Sequence, residues 1–176
     1  AEYRWYNGYN FLHTGWLGYN LQDGGQVQVG VNRVPFGIGA YGPSNSWFFD
    51  QHYYVGLSDD MDFGVKYTKS FDNLTLDLAY YLTDEGNWRG TSVDSARYSY
   101  DPVEVSAFGQ NWGYSDQHQF NARLIYTVPD APVPTDIGVS LQYGSLDSLA
   151  DTPGGDGDQY AASVHMKNSM DNWTLM

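Results

Sequence analysis

Cysteine is missing from this chain of 176 residues, so it has no disulfide framework, no thiolate metal site and no thiol nucleophile. Basic residues are few. Eight Lys and Arg stand against 21 Asp and Glu, a formal net charge of −13. A chain this acidic does not track a phosphate backbone, which removes nucleic acid from the partners to consider. Long apolar runs are missing too. The longest is Leu78-Ala79-Tyr80-Tyr81-Leu82, too short for a transmembrane helix. There is no helical period and no repeat at fixed spacing. The sequence contains no Gly-x-Ser-x-Gly, no His-Glu-x-x-His and no phosphate loop, and nothing in it points to an enzyme. Ala1-Glu2-Tyr3 carries no secretory signal, so the sequence is expected to be mature or truncated.

What is present is apolar and aromatic. Hydrophobic residues make up 41% and aromatic residues 17%, too much for a disordered acidic tail. Their arrangement is alternating, with a period of two, over 26–32, 55–68, 74–83, 118–128, 136–144, 159–167 and 172–175. One face gathers Val27, Val29, Phe63, Val65, Leu74, Leu76, Leu78, Phe120, Leu124, Val139, Leu141, Val164 and their kind. It holds 31 positions, of which 29 are apolar, the exceptions being Asp59 and His118. The other face has 33 positions, of which only Ala79, Tyr81, Ile125 and Ala161 are apolar. So sharp a contrast leaves the chain to β-strands, and 1–6 and 11–22 fit as two more. Asp23-Gly24-Gly25, Phe71-Asp72-Asn73 and Met170-Asp171 are tight turns, and 129–135 is a fairly short connection. Residues 35–51, 84–117 and 146–158 are long loops, so one end of the sheet carries turns and the other carries loops. Reading 55–68 as one long strand keeps this rhythm.

Alternation alone does not say which face meets water. In a soluble barrel or sandwich the apolar face is the core. In a membrane barrel it meets lipid, and the polar face lines a watery lumen. Three features favour the membrane. The polar face carries only Asp60, Asp62, Lys66, Asp77, Arg123, Asp136 and Lys167 as charges, less than a soluble surface usually shows. Ten of the 21 acidic residues sit in the loops 84–117 and 146–158. Aromatic rings recur near strand ends on the apolar side, at Tyr67, Tyr80, Tyr126, Tyr143, Tyr160 and Trp173, as at a membrane–water interface.

The segment Gly30-Val31-Asn32-Arg33-Val34-Pro35-Phe36-Gly37, a strand running into a Pro-Phe-Gly loop entrance, resembles the Gram-negative outer-membrane porins. Within them it is similar to the phosphate-selective porin O/P group and related marine-type porins. Residues 59–67 and 71–81 resemble porin strands in the same style. The resemblance implies an antiparallel up-and-down transmembrane β-barrel of 16 to 18 strands, of which about nine are countable here, so a portion of a longer chain is expected. It further implies the bacterial outer membrane as location, lipid and lipopolysaccharide as surroundings, and a homotrimer. The function it implies is passive diffusion of small hydrophilic solutes or ions. No Lys ladder stands on the polar face and the net charge is acidic, so a modest cation preference is expected in place of an anionic one.

The candidate pore-lining residues are Asp60, Asp62, Lys66, Asp77, Arg123, Asp136 and Lys167. Trp47, Phe48 and Phe49 are candidates for narrowing the pore or plugging it from the first long loop. Asp151, Asp156 and Asp158 place three carboxylates within eight residues, a weak candidate for Ca²⁺ without the bidentate Glu of an EF-hand. No other cofactor is expected. Two alternatives stay open: a soluble extracellular β-barrel or sandwich that binds carbohydrate, and a small non-conducting membrane barrel serving as anchor or adhesin.

Overall fold

A computed structural model describes residues 1–6, 9–38, 57, 60–84, 105–107, 110–148 and 151–175. Every regular element among them is a β-strand: β1 (Glu2–Tyr6), β2 (Tyr9–Asn20), β3 (Gln26–Arg33), β4 (Met61–Phe71), β5 (Leu74–Asp84), β6 (Val105–Ala107), β7 (Gln110–Trp112), β8 (Tyr114–Thr127), β9 (Thr135–Ser148), β10 (Gly157–Met170) and β11 (Trp173–Leu175). Nine of them form one antiparallel sheet in the order β1-β2-β3-β4-β5-β8-β9-β10-β11. The small β6–β7 hairpin stands apart, within the connection from β5 to β8. Each strand of the sheet therefore pairs with its predecessor, an up-and-down meander whose edges are β1 and β11.

The turns form for reasons written in their residues. Asp72, Asp130 and Asp171 adopt left-handed backbone conformations, with φ of +35°, +55° and +44°, where a short polar side chain is tolerated. Asp23 accepts the Gly25 N–H at 3.0 Å, and Gly24 supplies a positive φ. The loop end differs from the sequence expectation in three places. Of the strand expected over 55–68, residues from Met61 onward lie in β4, Leu57 and Asp60 lie outside any strand, and 55, 56, 58 and 59 lie outside the described residues. β3 ends at Arg33, opposite Met61, and Val34 makes one more bond, its N–H donating to the Asp60 carbonyl at 3.0 Å. Pro35 then has no N–H to offer, so β3 stops short of it. The loop expected over 84–117 includes a hairpin and the first residues of β8, and the loop over 146–158 shrinks between β9 and β10.

The two faces of this sheet meet opposite surroundings. The apolar set is outside: Leu17 is 83% exposed, Val164 81% and Tyr160 78%, and Leu78, Phe120, Leu124, Val139 and Leu141 are exposed with them. Val31 and Met61 are exceptions and are buried. The polar set is inside: Asp62 is 1% exposed, Gln119 1% and Ser140 0%, with Asn32, Asp77, Asn121, Gln142, Gln159 and Ser163 also buried. Exposed apolar atoms are ordinary on any protein, but a buried polar face opposite a contiguous apolar surface is not. We call these the inner and outer faces.

On the outer face, Leu17, Val29, Val65, Tyr80, Phe120, Tyr143 and Tyr160 oppose one another from strand to strand in a single row. Its aromatic members lie toward the loop end, with Tyr80 and Phe120 rings 4.6 Å apart. Tyr67, Phe71, Tyr126 and Trp173 lie beside the short turns. His118, the polar exception of this face among the described residues, is exposed and bonded through Nδ1 to the Tyr80 hydroxyl at 2.6 Å. It sits at a β-bulge, with φ of +53°, where His118 and Gln119 together oppose Gly144.

Gly30 shows how tightly β2 and β3 approach. Its φ is +130°, and a Cβ there would stand 2.4 Å from the Gly15 carbonyl oxygen. Gly30→Ala is therefore expected to destabilise the sheet by about 1–3 kcal/mol. A urea titration of the purified protein measures this, and an unchanged midpoint contradicts it.

Candidate functional site

The inner face is built from residues that the two-residue period points inward, and a strap of chain laid over them. After β3 the chain turns across the sheet. Gly37 donates its N–H to the Ser140 hydroxyl on β9 at 3.0 Å, and its carbonyl accepts from Arg123 Nη1 at 3.5 Å. Val34 and Phe36 on this strap are each 2% exposed and pack with Leu57, Ala79 and Tyr81, with Ala161 at the margin. Three of the four apolar residues on the otherwise polar face, Ala79, Tyr81 and Ala161, are thus the seat on which the strap rests. Tyr81 also ties it down, its hydroxyl donating to Asn32 Oδ1 at 3.0 Å and to the Arg33 carbonyl at 2.9 Å.

All seven candidate charges share this inner side, and the register places them at different levels. Toward the loop end, Gln119 Nε2 donates to Asp62 at 2.8 Å and to Asp60 at 3.5 Å. Gln159 Nε2 bonds Asp116 and also donates to Gln119 Oε1 at 3.0 Å. Lower on the strands, Asp77 accepts from Thr68 at 2.6 Å and takes a two-pronged contact from Arg123, Nε at 2.9 Å and Nη2 at 2.8 Å. A planar guanidinium fork suits a carboxylate in this way. Lys66 donates to the Arg33 carbonyl at 2.9 Å. At the turn end, Asp136 accepts from Thr127 at 2.7 Å and lies directly across from Lys167. These seven and Asp116 make five carboxylates and three cations among the described residues.

The other candidates fare differently. Trp47, Phe48 and Phe49 lie outside the described residues. Asp151 is exposed. Asp156 accepts the Ser148 N–H at 2.9 Å and its hydroxyl at 2.8 Å, and these bonds hold its carboxyl below the ordinary value of 3.8. Asp158 accepts from the Tyr143 hydroxyl at 3.2 Å. Among the described residues no group of three His, Asp or Glu is placed to hold a metal ion. At the opposite end, the Lys69 ammonium beside Asp23, 2.7 Å away, lowers that carboxyl likewise, with help from the Gly25 N–H.

The chain matches no protein-family profile, no curated protein and no solved structure. The site therefore stands on its own chemistry. That chemistry includes residues that sequence reasoning passed over. Asp116 read as a loop residue, yet the bulge at His118 brings it to the buried side with Gln119. The strap had a signal: Pro35 ends the ladder, Gly37 turns with φ of +66°, and the misplaced apolar residues Ala79 and Tyr81 await a partner.

Proposed function

We propose that this chain forms part of the wall of an outer-membrane β-barrel that lets small hydrophilic solutes and ions diffuse passively through a polar lumen. One observation carries the proposal: the sheet buries its Asp, Gln, Asn and Ser and exposes its Leu, Val and Tyr. Lipid tails suit the outer face and water suits the inner one. Strands of 11 to 14 residues at β4, β5, β8, β9 and β10 are long enough, since a tilted spanning strand needs about 9–11. In lipid an unpaired strand edge is costly, so β1 and β11 pair with further strands in a closed barrel. Its expected size is the 16 to 18 strands of the porins the sequence resembles, and a homotrimer among lipid and lipopolysaccharide rests on the same resemblance. A soluble carbohydrate-binding sandwich would bury the face that is exposed here.

The surplus of carboxylates on the inner side, with three of them at the loop end, supports a modest cation preference. The reversal potential of the reconstituted full-length protein in a KCl gradient is expected to have the sign of K⁺ preference. Chloride preference contradicts the selectivity. The dry contact of Val34 and Phe36 with Tyr81 favours a second reading, a non-conducting barrel acting as anchor. Single-channel recording separates the two. Discrete ion currents support diffusion, and insertion without current supports the anchor.

A further inference from the structure

We infer that Asp116 is a specificity-determining residue of the proposed pore, turned from the lipid side to the inner side by a register slip built into β5 and β8. The inference deepens the diffusion proposal and rests on it. By the period that runs through Phe120, Ala122, Leu124 and Tyr126, residue 116 belongs to the outer face. Asp116 is nevertheless 2% exposed, and Gln159 Nε2 bonds its carboxyl.

The slip is a paired one. β8 moves by one residue against β9 between Gln117 and Phe120, and β5 moves by one residue against β4 between Phe63 and Gly64. β5 and β8 keep a common register through this level, so the two extra residues, Leu82 and His118, lie across from each other. Both are exposed. A glycine seats each bulge. A Cβ on Gly64 would stand 2.2 Å from the Tyr80 carbonyl oxygen, and one on Gly144 would stand 3.2 Å from the Gln119 Cβ. One extra residue reverses the facing of every residue beyond it. Gln117 therefore takes the outer position opposite Ser145, and Asp116 takes the inner one opposite Leu146.

The slip brings a carboxylate to the inner side. Gln159 Nε2 joins Asp116 to Gln119 Oε1, and Gln119 Nε2 continues to Asp62 and Asp60. Two amides thus tie three carboxylates together at the loop end. The field of a carboxylate set in a low-dielectric wall reaches ions in a lumen with little screening. On the lipid side the same group would stand outside the wall.

The test uses the full-length protein in planar bilayers. Asp116→Asn is expected to lower the K⁺/Cl⁻ permeability ratio about twofold, and Asp116→Glu to retain it. Asp147→Asn removes an equal charge from the exposed position opposite Ser115 and is expected to leave the ratio unchanged. A ratio that Asp116→Asn leaves unmoved, or that Asp147→Asn lowers equally, overturns the role while the pore stands. A protein that passes no ions overturns the pore and the role together. The slip itself is read without current, from single spin labels at positions 116 to 119 in lipid vesicles. Dissolved oxygen or a water-soluble nickel complex is expected to reach 117 and 118 and to spare 116 and 119. Contact at 116 in place of 117 overturns the slip.

Discussion

Leu124→Lys is expected to prevent stable insertion of the protein into lipid vesicles. Leu124 is exposed on the outer face, between Leu76 and Val139 on the neighbouring strands, two residues inward of Tyr126 at the turn end and four from Phe120. A Lys facing lipid costs about 2–4 kcal/mol at mid-depth and less toward the interface, so about 2 kcal/mol is expected here, a large share of the stability of most domains. The same substitution on a water-facing sheet changes stability by no more than about 0.5 kcal/mol. The two environments thus give effects that differ several-fold, and Leu124→Met serves as the control that keeps the face apolar. The folded fraction in vesicles, read from urea titration, is the measurement. A Lys variant that folds as well as the Met variant contradicts a lipid-facing outer surface.

Arg123→Leu carries the second large effect. Asp77 is 2% exposed and is held by the Arg123 fork and the Thr68 hydroxyl. Removing the guanidinium strands a buried carboxylate, and losses of about 3–5 kcal/mol accompany broken buried pairs. Arg123 side-chain exposure of 19% tempers this toward the lower limit. The substitution also frees the strap at Gly37 from one of its two polar ties. Removing both charges, as Asp77→Asn with Arg123→Leu, is expected to recover more than half of the loss, because no buried charge is then left unmet. A double-mutant cycle by denaturant titration measures the coupling, and additive losses contradict the paired arrangement.

Much of this fold is legible because a strand writes its environment at every second residue. Val27 to Val29 and Leu74 to Leu82 announce one side of the sheet, and the Asp, Gln and Asn between them announce the other. All seven charged residues singled out by that period lie on the inner side. The same logic hides bulges. One extra residue at His118 shifts the phase of β8, so Asp116 changes from an apparent loop residue into a buried one. The start of β4 is hidden for a different reason. Residues 55–60 alternate as well as any strand, but β3 has ended at Arg33, opposite Met61, where the described ladder stops. The strap is a long-range structure: Gly37 meets Ser140 across 103 residues, and no local period encodes that contact. Only its seat is visible, as Ala79, Tyr81 and Ala161 on a face that is otherwise polar.

The absence of cysteine makes a direct test practical, because single cysteines can be introduced and spin-labelled without background. Labels at successive positions from Leu74 to Tyr80, in the full-length protein reconstituted in lipid vesicles, report contact with dissolved oxygen in lipid and with a water-soluble nickel complex. Oxygen contact is expected to peak at Leu74, Leu76, Leu78 and Tyr80, and nickel contact to be greater at Thr75 than at those four, with Asp77 and Ala79 shielded from both reagents beneath the strap. Shielding of the Leu and Tyr positions from both reagents would mean that these side chains form a dry interior, and the lipid-facing wall would be wrong.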